Sequence, residues 1–357
     1  MVDSQQDQAL DRILVIRLSS LGDVVLTAPA LRALRSRFPT SRIDFLTSKP
    51  YVDLASALPG VDRVLEFDKR GGLKELLRWQ FRLLRTRYSI IVDLQNSSRS
   101  ACWRALAFPV IWVKARRYRL RRFLLIHLRK NLYPCILPVP VRYLAAVDSL
   151  GCGDDGGGLE LRVPEDIARQ THEELEGSEA TGERAIILAP GARHATKRWP
   201  VENWADLART LLSRDYQVIL VGDRADEPLI EAIVRDVTDK GVRSFINQPL
   251  LKVAALLQFG ACLISNDSGP MHLATAVGAP VVALFGPTVE EFGFFPFRAR
   301  SEVIQRDLPC RPCSAMGSEQ CPEDHFRCMR DITVAEVLSA TERLISHPEM
   351  VSVMSNP

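Results

Sequence analysis

The sequence has no long apolar run. None of its 357 residues falls in a stretch approaching the ~18 apolar side chains that a membrane-spanning helix needs. Its start, MVDSQQDQALDR, does not place a charged segment before an apolar one, so a secretory leader is not expected. These absences predict a cytoplasmic chain, in which eight cysteines are reduced or metal-bound rather than paired. There is no G-x-G-x-x-G after the first apolar strand, so the NAD fingerprint is missing. No D-x-D pair stands in the loops, which predicts chemistry without a metal. Repeats of solenoid length and low-complexity tracts are also absent. Acidic residues are scarce in one half only: residues 1–150 carry 26 Lys and Arg against 12 Asp and Glu, a net +14, and the remainder carries a net −11. That asymmetry points the first half toward an anionic partner, although a solvated basic surface would give the same composition.

What is present is an alternation. Apolar runs of strand length, ILVIRL (13–18), RIDFLT (42–47), RVLEF (63–67) and SIIVDLQ (89–95), are separated by helical patterns, one of them VVLTAPALRALRSRF (24–38). After a glycine-rich acidic stretch, GCGDDGGGLE (151–160), the alternation restarts with AIILAPG (185–191), QVILVG (217–222), RSFI (243–246), ACLISN (261–266) and PVVALFG (280–286). Strands alternating with helices make parallel sheets covered on both faces. The expected fold class is therefore α/β, with two Rossmann-like domains. The expected boundaries are 1–165, 180–332, and a C-terminal helix and tail at 333–357 that could pack back on the first domain.

Ligands in such folds sit beyond the carboxyl ends of the strands, and that is where this sequence concentrates its polar residues. RLSSLGD (17–23) places Ser19, Ser20 and Asp23 after the first strand. Asp23 either caps the next helix or serves as a carboxylate that accepts a proton from a bound hydroxyl. APGARHATKRWP (189–200) places Thr196 and Lys197 in a strand-to-helix loop, where a lysine suits a diphosphate. VGDRADEP (221–228) offers Asp226 or Glu227 to ribose hydroxyls, or to helix capping. NDSGPMH (266–272) reads as a helix start: Asp267 or Ser268 caps, Gly269 lets the backbone approach a ligand, Pro270 suits the first turn, and His272 follows one turn in. Each loop alone is explained by capping; their recurrence at strand ends favours a site.

The pieces VIRLSSLGDVVLTAPALRALR, PGARHATKRWP and NDSGPMHLATAVGAPVVALFGPT, with a late cysteine cluster, resemble the bacterial lipopolysaccharide heptosyltransferases of glycosyltransferase family 9, in order and spacing. The resemblance implies a GT-B fold, two Rossmann-like domains whose parallel sheets face across a cleft, with acceptor in the first and nucleotide sugar in the second. It also implies inverting transfer of heptose from ADP-L-glycero-D-manno-heptose to the lipopolysaccharide inner core, with no cofactor required. On that pattern Asp23 is the general base and Lys197 binds the diphosphate. Asp267, Ser268, Gly269 and His272 form the donor loop, Asp226 meets the ribose, and Thr196 is carried over with them. Ser19 and Ser20 fall on the acceptor side.

Two features stand apart. KARRYRLRRFLLIHLRK (114–130) holds eight basic residues, Arg117, Arg121 and Arg122 among them, interleaved with apolar ones, and RWQFRLLRTRY (78–88) adds four arginines. With no nucleic-acid motif present, docking to an anionic membrane surface is the favoured reading. That makes the chain a peripheral protein on the inner face of the inner membrane. Cys310, Cys313, Cys321 and Cys328 have spacing compatible with a structural zinc, as in the branch that looks like heptosyltransferase II, or form a reduced loop-tightening cluster. The competing function class is a nicotinamide-dependent oxidoreductase on the same double fold.

Overall fold

Near-continuous Val, Ile and Leu along a strand leave no polar face for water, so such strands must be covered on both sides. The computed structural model, which describes residues 12–106, 110–176, 184–237 and 241–347, bears this out in two sheets. The first contains β1 (Arg12–Ile16), β2 (Arg42–Ser48), β3 (Arg63–Phe67), β4 (Ile90–Asp93) and β5 (Ile111–Lys114), all parallel, in the order β3-β2-β1-β4-β5. The second contains β6 (Ala185–Ala189), β7 (Gln217–Gly222), β8 (Val242–Ile246), β9 (Cys262–Asn266), β10 (Val281–Phe285) and β11 (Ser301–Gln305), also parallel, in the order β11-β10-β9-β6-β7-β8. These are GT-B Rossmann-type sheets. In each, strand order reverses beside the first strand, between β1 and β4 and between β6 and β9. Those seams are topological switch points, where a crevice opens past the strand ends.

The chain divides into two compact units: residues up to Arg117 with Val139–Arg162, and Tyr118–Pro138 with residues from Val163 onward. In the first unit Leu14, Ile16, Leu46, Leu65 and Ile91 of the sheet pack with Trp79, Leu83 and Trp103 of the helices. The glycine-rich acidic stretch belongs here. Asp155 pairs with Arg32 at 2.7 Å, and the Arg162 amide donates to Ala57. In the second unit Ile186, Leu188, Val218, Leu220 and Ile264 meet Trp204, Leu207, Leu211 and the helix Val334–Ser346. That C-terminal helix packs on the helix Val201–Leu212 and on β9, β10 and β11, within the second unit. Tyr118–Pro138, which the sequence reading assigned to the first domain, clusters with the second unit as well.

One helical pattern is interrupted. The segment 24–38 forms two helices, Leu21–Val25 and Ala28–Arg37, because Pro29 has no N–H for a bond to the preceding turn. Pro29 instead opens the second helix, where a missing donor does no harm. Among the described residues no helix is long and apolar enough to cross a membrane.

Ile264 lies at the centre of β9 with no exposed surface. Ile264→Ala is expected to destabilise the second unit by about 2–5 kcal/mol. Hydrogen exchange should show it as lost amide protection across β6–β11.

Candidate active site

At the first switch point the chain leaves β1 through Arg17–Ser20 and enters a helix with Ser20 as its N-cap. Asp23, the third helical residue, reaches back in a capping box: its Oδ2 accepts from the Ser20 amide and the Ser20 hydroxyl, each at 3.0 Å. Its Oδ1 lies 2.5 Å from Arg17 Nη2. A carboxylate has about four lone-pair sites, so one remains on Oδ1 for a further donor. Burial alone would raise the Asp23 pKa, but the Arg17 charge and the Ser20 hydrogen bonds outweigh it and hold the carboxyl below its ordinary range. Asp23 is therefore ionised at neutral pH, both a cap and a charged acceptor.

Arg17 is buried and donates from Nη1 to the Leu94 carbonyl at 2.7 Å, with its guanidinium 5.6 Å from the centre of the Tyr143 ring. The Leu18 amide donates to Gln95 Oε1 at 3.0 Å. The loops after β1 and β4 are thus tied together across the seam. Asp93, buried at the end of β4, accepts from the Asn96 amide at 2.6 Å, and burial pushes its pKa up against its hydrogen bonds. Ser19 is half-buried and Ser20 exposed in the same turn.

The second seam is built in the same way. Lys197 ends a short 3-10 turn after β6, and its Nζ lies 2.6 Å from Asp267 Oδ2 at the end of β9. Both side chains are largely buried. Thr288 donates its hydroxyl to the same Oδ2 at 2.6 Å. Asn266, fully buried, donates from Nδ2 to the Pro190 carbonyl at 2.7 Å and accepts the Trp199 amide at 3.1 Å, clamping both ends of the lysine loop to β9. Just past Asp267 the helix Gly269–Ala276 begins. Its N-cap, Ser268, makes no side-chain capping bond, and its hydroxyl lies 3.2 Å from that of Ser265. First-turn amides have no partners inside a helix, so Gly269 and Met271 present N–H groups and the positive dipole end beside Lys197. His272 is buried one turn in, its ring 6.3 Å from that of Phe294.

Other expected site residues take different places. The Thr196 hydroxyl donates to the Ser318 carbonyl at 2.9 Å and accepts the Ser318 amide at 2.8 Å, so it anchors the cysteine-bearing loop behind the lysine. Gly317 of that loop adjoins Lys197; a Cβ there would lie 3.2 Å from Lys197 Cγ. Asp226, half-buried after β7, lies against Gly191, where any Cβ would collide with its carboxylate. Burial raises the Asp226 pKa. Arg117 is exposed, whereas Arg121 and Arg122 are half-buried on the rings of Tyr118 and Phe292, each 4.9 Å from a centroid.

Of the two readings of the cysteine cluster, the structural zinc is not shown. Among the described residues no group of three or more His, Cys, Asp or Glu side chains is arranged to hold a metal. Cys310, Cys313, Cys321 and Cys328 are free thiols. Burial, and then the neighbouring cysteines, push the Cys313 thiol up and Cys328 up to about 12. Cys310 Sγ lies 3.7 Å from His325 Nε2.

Two parallel-sheet Rossmann-type units, each with an anchored carboxylate at its switch point, are the architecture of the GT-B class. The chain belongs to glycosyltransferase family 9 (heptosyltransferase), whose model matches residues 77–325. It is 31% identical over 295 residues to lipooligosaccharide heptosyltransferase 2 of Haemophilus influenzae, covering 78% of this chain and 84% of that one. The fold is similar to that of a family 9 glycosyltransferase from Veillonella parvula, with TM-score 0.78, 23% identity, and 95% and 98% of the two chains covered. It is also similar to ADP-heptose LPS heptosyltransferase II of E. coli, with TM-score 0.72, 24% identity, and 95% and 100% covered. The oxidoreductase alternative finds no support in these likenesses.

Arg17 and Thr288 were not singled out from sequence, although Arg17 directly follows an apolar strand, an unusual place for a charged side chain that must be buried. Lys197→Met leaves Asp267 as an uncompensated buried charge, with an expected loss of about 3–5 kcal/mol in denaturant unfolding. Adding Asp267→Asn, which still accepts from Thr288, should restore most of it. A double variant no more stable than the single one would show that the pair is not the linchpin of this loop.

Proposed function

We propose that the chain transfers heptose, with inversion, from ADP-L-glycero-D-manno-heptose to the lipopolysaccharide inner core. The observation that carries the proposal is the Lys197–Asp267 pair beside the amides of Gly269–Ala276 at the switch point of the second sheet. The names of its relatives support the sugar and the acceptor. Displacement at the anomeric carbon forms a bond to the acceptor oxygen and breaks the bond to the diphosphate, which leaves with the electron pair as ADP. The acceptor proton goes to Asp23 Oδ1, on its remaining lone pair. Negative charge that grows on the diphosphate is opposed by Lys197 and the helix amides. The carboxylate of Asp267, already taken by Lys197 and Thr288, orients the lysine rather than touching phosphate, since two anions in contact would repel. Asp226 is assigned to the ribose hydroxyls and His272 to the wall of the donor site. The net positive first half holds the protein at an anionic membrane where a lipid-borne acceptor is found, with Arg117 among the exposed charges.

Asp23→Asn retains an acceptor for the Ser20 cap but cannot take a proton. Transfer should fall about 10²–10⁴-fold, with ADP affinity by calorimetry unchanged; a variant that still transfers at the wild-type rate removes Asp23 from the base role. Arg17 sets the pH range. Because Asp23 titrates below the ordinary carboxylate range in the folded protein, the acid limb of kcat/KM lies low, and the ion pair contributes stability that is lost only as pH falls through that depressed value. Arg17→Gln leaves only the Ser20 hydrogen bonds to oppose burial and should move the limb to higher pH, whereas Arg17→Lys should move it little. Superimposable pH profiles for the three proteins would contradict this account of Asp23.

A further inference from the structure

The helix Gly72–Thr86 of the first unit turns an unusual face to solvent. Its buried side carries Glu75, Trp79, Gln80 and Leu83. Leu73, Leu77, Phe81 and Leu84 are exposed, Leu73 at 69% and Phe81 at 70%. Their spacing of four, four and three residues puts them in one row along the helix. At 100° per residue, Lys74, Arg78 and Arg85 form a second exposed row directly beside it. Glu75 is the helix's only acid, and it faces inward, accepting from Trp79 Nε1 at 2.9 Å and the Asp68 amide at 3.2 Å while pairing with Arg78 at 2.6 Å. A helix with one wall to the core, one apolar row and one basic row has the division seen in helices that lie in a membrane interface.

We infer that this helix is the membrane-insertion element of the first unit: Leu73, Leu77, Phe81 and Leu84 enter an anionic bilayer to the headgroup–acyl boundary, and Lys74, Arg78 and Arg85 pair with its phosphates. Charge complementarity selects the occupant. A second copy laid face to face would set two basic rows against each other with no exposed acid on either helix, and the apolar row is otherwise left in water. The inference takes from the proposed function only the purpose of docking, a lipid-borne acceptor; its evidence is the helix itself. It adds to charge-driven docking a part that salt does not screen, because apolar insertion survives when the Debye length falls to about 3 Å in 1 M salt.

The test is sedimentation of the full chain with vesicles of phosphatidylcholine alone and of phosphatidylcholine with phosphatidylglycerol, at low and high salt, in the absence of donor and acceptor. The wild-type chain should be retained by the anionic vesicles and keep a measurable fraction of that binding in high salt. Leu77→Ser with Phe81→Ser, both exposed and so compatible with folding, should weaken partitioning by about tenfold or more and abolish the salt-resistant fraction. Lys74→Gln and Arg85→Gln should each weaken low-salt binding about fivefold and leave the salt-resistant fraction in place. ADP affinity, a property of the second unit, should be the same in all variants and serves as the check on folding. Partitioning of the Leu77→Ser, Phe81→Ser protein equal to wild type overturns the inference, as does a wild-type chain that ignores anionic vesicles. A wild-type dimer in light scattering that the same double variant dissolves, without vesicle binding, overturns it in favour of a second copy. Retention is read without sugar transfer, so failure of the transferase reading would leave this result standing.

Discussion

A lysine and an aspartate removed from water in contact with each other organise the second unit. Lys197 and Asp267 come from loops that follow adjacent strands, β6 and β9, and neither charge can be desolvated without the other. The pair therefore closes the seam where strand order reverses. Thr288 and the Asn266 clamp fill the hydrogen-bonding positions that the pair leaves open. A lysine ammonium has three protons. With the Asp267 carboxylate taking one at 2.6 Å and the Asp267 carbonyl a second at 3.4 Å, the third stands beside first-turn amides that no side chain caps. The same restraint that stabilises the loop thus leaves positive charge concentrated at a helix N-terminus. On the proposed function, anion binding would follow from this packing and require no separate device.

The first unit uses the same construction with the signs exchanged. There a buried arginine holds an aspartate, and the arginine is itself fixed by a carbonyl from across the seam. The outcome is an ionised carboxylate with one acceptor position remaining, where the second unit has a cation with a donor remaining. On the proposed function these are a base and a charge stabiliser, the two groups that displacement of a diphosphate needs. The stabilisation that lowers the Asp23 pKa keeps it ionised across the neutral range.

Much of this was legible in the sequence because the strands that flank the seams are apolar on both faces and their loops are abruptly polar. The strands β1, β2, β4, β6, β7, β9 and β10 stand out as runs. The edge strands β5 and β11 do not, since their half-exposed patterns carry no continuous signal. Lys197, Asp267 and Asp23 could be picked out from their loops, but the contacts that hold them could not. Thr196 finds Ser318 after 122 residues, and Arg17 finds Leu94 after 77, separations that spacing rules do not reach. The four cysteines carry metal-like spacing, but spacing does not tell how their loop is anchored, which is through Thr196 to Ser318. In the helix Gly72–Thr86 the leucine periodicity would ordinarily mark the core face. The core instead takes Glu75, Trp79, Gln80 and Leu83, because Trp79 and Leu83 fill the space beneath the sheet and Trp79 supplies a donor for Glu75.

The central claim is that the Lys197–Asp267 seam is a diphosphate cradle. Diffraction from crystals grown with ADP measures this directly. The account predicts diphosphate oxygens within hydrogen-bonding distance of Lys197 Nζ and the Gly269 amide, with Asp267 still holding the lysine from behind. A diphosphate bound elsewhere on the chain, with Lys197 and Asp267 turned only toward each other, would contradict it.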